Sequence, residues 1–198
     1  MAVRLKTRWH KSKRSERNRE GSSRPKSLDS MSSAVAINIW KLSQDTFKRM
    51  EKEDFLFPED RQAIEVISEF CVYLLHIVDR SIYGRIPEQE RGPLINAIAK
   101  HLLATIEGNQ LDLLGPGDYR PALIERLNDR LANYAECSFD ADGPGYDFKR
   151  YLGQKVAEIM AAADNKWVVE QIMDIEAPGL AEKIRPVVRD VLGIKDVQ

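Results

Sequence analysis

The stretch AIEVISEFCVYLLHIVDRSIY, residues 63–83, is apolar on nearly every side when wound as a helix: Ile64, Val66, Ile67, Phe70, Val72, Leu74, Leu75, Ile77, Val78 and Ile82 leave no broad polar face. Such a helix is buried by other elements rather than laid on a surface. Phe70 to Leu75 contains good strand formers, yet the charged residues recur at helical spacing and the run exceeds twenty residues, so helix is the expected state. The longest uninterrupted apolar run is that same Phe70–Leu75. It is far short of the ~20 residues that cross a bilayer.

Working outward, helix signals recur on both sides. Upstream, Val35, Ile39, Leu42, Thr46, Phe47 and Met50 follow one another at three and four, predicting a first helix over about Ser33 to Lys52. Downstream, Gly84 stops the central helix and Pro87, Glu88 and Glu90 open a third. Gly108 with Asn109 reads as its end. Beyond the Gly115-Pro116-Gly117 loop, Leu123, Leu127 and Leu131 predict a fourth helix. A fifth is expected from about Tyr146 to Ala163, then two shorter ones near Asn165–Ile175 and Ala177–Leu192. No alternating strand pattern interrupts the series. The expected fold class is all-α: a single-domain bundle of about six or seven helices over residues 33–198.

Residues 1–32 read differently. They are Lys, Arg, Ser and Asn with almost no apolar period, so burial cannot offset the entropy of ordering them, and a disordered basic tail is expected. The net charge of −1 conceals the contrast. Residues 1–28 hold ten Lys/Arg against two Glu, leaving twenty against twenty-nine in the remainder, so an acidic bundle carries a basic arm. Such an arm attracts polyanions, either nucleic acid or an anionic membrane surface, and Trp9 with His10 could stack on an unpaired base. The segment has no apolar core of a secretory leader, and the two cysteines, Cys71 and Cys137, form no disulfide framework. A cytoplasmic location is the expectation.

Candidate chemistry is sparse. Glu65, Glu69, Val72, His76, Asp79 and Tyr83 are spaced four, three, four, three and four, which sets them on one line of the central helix. If that helix and the next form an antiparallel hairpin, residue numbers summing to about 177 lie level, and His76 comes opposite His101. A divalent metal held by His76, Asp79, His101 and Glu69 follows as one candidate site. The two Glu-x-x-His motifs of ferritin-like bundles are absent, since Tyr73 and Ile98 stand where Glu would be needed. Asp140-Ala-Asp142-Gly143 begins like a calcium loop, but Pro144 and Tyr151 occupy two ligand positions, so a plain turn is expected. No nucleophile elbow, phosphate loop or dinucleotide fingerprint occurs, and no catalytic residue or cofactor is assigned. Residues 69–96 resemble helical proteins of bacteria, a likeness that transfers no functional residue.

Three functions are compatible with these residues. The preferred one is a non-enzymatic interaction or adaptor protein, with a protein partner or a second copy as its target. The others are a metal-binding bundle, with a metalloenzyme as its extension, and a nucleic-acid-associated regulator that binds through residues 1–28.

Overall fold

The computed structural model describes residues 7–10, 27–160 and 166–194. It is an all-α bundle. Helices α1 (Leu28–Lys52), α2 (Asp60–Ile82), α3 (Glu88–Leu114), α4 (Arg120–Ala135), α5 (Tyr146–Met160), α6 (Val168–Gln171) and α7 (Ala177–Leu192) follow in order. A π-helical turn, Ile172–Glu176, joins α6 to α7 without a break, so the count is six or seven according to whether that last rod is divided. The only strands among the described residues are a two-residue hairpin, Phe139–Asp140 with Gly143–Pro144. It is the turn expected at Asp140–Asp142, with the Asp142 N–H bonded to Asp140 Oδ1 at 2.9 Å. No helix of the described residues is long and apolar enough to cross a membrane.

The all-round apolar helix sits in the middle, as its sequence requires. Sixteen of the 23 residues of α2 are buried, and α1, α3, α4, α5 and α7 all pack on it. One continuous core runs from Val35 and Trp40 through Phe70 and Leu74 to Phe148, Ile172 and Ile184. Two of its seams hold buried ion pairs. Glu69 is fully buried against Arg130 of α4, and Glu176 is fully buried against Arg49 of α1, where Gln171 adds a bond at 3.1 Å.

Two expected boundaries move. α1 begins at Leu28, five residues before the expected Ser33, because Ser27 is a working cap: its Oγ accepts the Ser30 N–H at 3.2 Å and Asp29 stands in the first turn. α3 does not end at Glu107. It continues through Gly108 and Asn109 to Leu114 and stops at Gly115, whose φ of +87° is the left-handed region that glycine tolerates. The expected disorder of residues 1–32 falls mostly outside the described residues. Within them, Thr7–His10 are seated on the bundle rather than detached from it.

Candidate functional site

The polar line on α2 exists, but its partners lie on α4. Glu65 meets Arg126 at 3.5 Å, Glu69 meets Arg130 at 3.0 Å, and His76 stacks on Tyr134 with ring centroids 5.6 Å apart. Arg126, Arg130 and Tyr134 are themselves four apart, so two parallel helices zip along matching faces. Asp79 pairs with Arg91 at the start of α3, and Arg91 in turn holds Glu88 at 2.8 Å. His101 turns the other way, to α1, where its Nε2 lies 3.3 Å from Asp29. Numbering sums fix the level of two residues in a hairpin but not the face each presents, and here the faces diverge. Glu69, His76, Asp79 and His101 are therefore not brought together, and no group of three or more metal-ligating side chains forms among the described residues. A cleft of about 800 Å³ opens beside His101, lined among others by Asp29, Asn96, Lys100 and Arg120. Its His101 and Arg120 are already engaged, by Asp29 and by Glu107.

His76 is buried, and neither ring nitrogen has a hydrogen-bond partner. Burial pushes its pKa down to about 4, with the Asp79 charge opposing and Arg80 and Arg91 reinforcing. An unfolded imidazole titrates near 6.5, so between the two values the unfolded chain binds the extra proton and stability rises with pH. The contribution is whole above about pH 6.5, drains as pH falls toward about 4, and amounts to about 3 kcal/mol over that span. Urea unfolding of wild type and His76→Phe at pH 7 and pH 4.5 checks this. The variant, whose ring fits between Tyr134 and Phe148, is expected to lose much less stability on acidification; equal losses would remove His76 from the account. The environment disfavours both thiolates: burial raises Cys71 to about 12, and burial with Asp147 raises Cys137.

A second polar stripe lies along α3. Thr105, Gly108, Asn109 and Asp112 are spaced three, one and three, one stripe of the helix, and Thr105 and Asn109 are fully buried. Buried polar side chains need partners, and these find theirs in the backbone of residues 8–10. Asn109 Oδ1 accepts the Arg8 N–H at 2.8 Å, while its Nδ2 donates to the Arg8 carbonyl at 2.7 Å and to the Thr105 carbonyl at 2.7 Å. The Thr105 hydroxyl donates to the His10 carbonyl at 3.0 Å. The segment thus runs antiparallel to α3. Asn109 reads both main-chain groups of one residue, as a neighbouring strand would.

Side chains add to this contact. Trp9 is half-buried against the core, and Gln44 of α1 donates to the Thr7 hydroxyl. Asp112 grips the Arg8 guanidinium by two atoms, Nε at 2.9 Å and a terminal nitrogen at 3.1 Å, and lies 3.1 Å from His10 Nε2. The His10 ring lies directly over Gly108, where a Cβ would collide with it, reaching Cδ2 at 2.7 Å. Gly108 is thus not a helix stop. It is the gap into which the ring fits.

No family model matches this chain, and neither a curated protein nor a solved structure matches it. The α3 stripe escaped the sequence reading because Gly-Asn is a common helix terminator. The available sign was the continuation: Leu111, Leu113 and Leu114 keep apolar residues coming after Asn109, and Gly115-Pro116-Gly117 is the stronger stop.

Proposed function

We propose that the protein is a non-enzymatic interaction protein whose α3 stripe, with the edge of α1, docks an extended chain segment, and that residues 7–10 fill this place in the resting chain. The observation that carries the reading is Asn109: a fully buried amide that spends two of its three bonds on the backbone of a segment about a hundred positions away. Backbone readout of this kind is how sheet edges and grooves take extended peptides. The metal reading lacks converging ligands. The polyanion reading rests chiefly on residues outside those described, and the Arg8 guanidinium is already engaged by Asp112.

The test uses the full chain. Replacing Arg8→Pro, Trp9→Ala and His10→Ala together removes the main-chain N–H that Asn109 accepts as well as the side chains, and so unseats the resident segment while leaving the groove's walls intact. A synthetic peptide of residues 5–12 is then expected to bind the emptied chain by calorimetry. Wild type should bind it at least about tenfold more weakly, because its own segment competes at the millimolar effective concentration a short tether gives. No binding to the emptied chain would sink the proposal.

A further inference from the structure

The groove does not read only backbone. We infer, resting on the docking reading above, that its partner is an extended segment of a particular pattern: a cation, then a large aromatic residue, then a planar ring without a bulky branch. Each position follows from one wall. Asp112 stands where the first side chain passes and meets Arg8 with two nitrogens in the fork geometry that suits a guanidinium better than an ammonium. The middle position is Trp9, half-buried against the core, where a small residue would leave apolar surface open to water. The third passes over Gly108, whose missing Cβ leaves a slot the thickness of a ring. Thr105 and Asn109 meanwhile fix the register, because they bond main-chain groups of the first and third residues and cannot be satisfied after a one-residue slip.

The forces divide accordingly. Asn109 and Thr105 are buried and their bonds are indifferent to side chain, so they supply affinity for any extended chain. Asp112 is about a third exposed and Arg8 more than half, so their pair discriminates without dominating. A protein that presents such a cation-aromatic-ring segment displaces the resident residues 7–10, and one that lacks the cation or the aromatic does not.

The experiment measures peptide binding to the emptied full chain (Arg8→Pro, Trp9→Ala, His10→Ala) by calorimetry. The peptides are residues 5–12 in the natural form and in forms carrying Arg8→Glu, Arg8→Lys, Trp9→Ala or His10→Val. The natural form is expected to bind tightest. Arg8→Lys should cost a few-fold, Arg8→Glu and His10→Val about tenfold, and Trp9→Ala more than tenfold. Adding Asp112→Lys to the emptied chain should reverse the order of the Arg8 and Arg8→Glu peptides. Adding Gly108→Ala should weaken the natural peptide and spare a peptide with glycine at position 10. Equal affinities across the set, with no reversal by Asp112→Lys, would overturn the pattern while leaving backbone docking in place. Absence of binding by every peptide would overturn both.

Discussion

Arg130→Ala is expected to lower the free energy of unfolding by about 3–5 kcal/mol, the cost of breaking a buried ion pair from one side. Arg130 is the partner of Glu69, whose carboxylate is fully buried on α2 and is bonded by Arg130 Nε at 3.0 and 3.2 Å. Burial is the largest single influence and works against the charge on Arg130, but the hydrogen bond and charge of Glu69, with Tyr151 and Asp129, together outweigh it, so the guanidinium is held above its ordinary pKa. Removing it leaves an uncompensated charge beside Tyr73, Tyr134 and the packed aliphatic core. The cost comes from the orphaned partner more than from the lost attraction. The double variant Glu69→Leu, Arg130→Met, which removes both charges at similar volume, is therefore expected to recover most of the loss. Urea unfolding at pH 7 decides it. A loss under about 1 kcal/mol for Arg130→Ala would mean that Glu69 is solvated and that α4 does not seal this seam.

Asn109→Ala carries the second large effect, on docking rather than on the fold. The substitution deletes both bonds to Arg8 and leaves its N–H and carbonyl to water at the edge of the groove. Two hydrogen bonds of this kind are worth about 2–3 kcal/mol in holding the segment, roughly thirty- to 150-fold in its docked population. Global stability should change by much less, because alanine favours the helix over asparagine by about 0.6 kcal/mol and the segment contributes only local burial. Fluorine spectra of 5-fluorotryptophan protein read the result, since only Trp9, Trp40 and Trp167 report. In Asn109→Ala the Trp9 resonance should move to the position it takes in the unfolded chain while Trp40, buried in the core, stays fixed. A Trp9 resonance unmoved by Asn109→Ala would show that Trp9 is held by something other than this amide.

Much of the fold was legible because helix burial leaves a simple trace. Ile64 to Ile82 could only be central, and the periodic residues of α1, α4 and α5 placed those helices within a few positions. Legibility failed where one residue type serves two purposes. Ser27, Ser30, Ser32 and Ser33 could each cap a helix, and apolar spacing that becomes clear only at Val35 does not say which of them does. Gly108 and Asn109 were read through their backbone preference, whereas the fold uses the absence of one side chain and the bonding of the other. The α2 line from Glu65 to Asp79 was correct as a line, yet a helix sequence does not say which neighbour its stripe will meet. That choice is made by Arg126, Arg130 and Tyr134, some sixty residues on.

Among the described residues, Thr7–His10 seat the basic arm on the bundle, and Asn109 holds their main chain. Amide hydrogen exchange at Arg8 in the full-length chain tests this most directly, because that N–H has a single acceptor, Asn109 Oδ1. Arg8 is predicted to exchange at least about tenfold slower than an unstructured amide in wild type and at the unstructured rate in Asn109→Ala. Exchange of wild-type Arg8 at the unstructured rate would contradict the docked segment and the interaction function built on it.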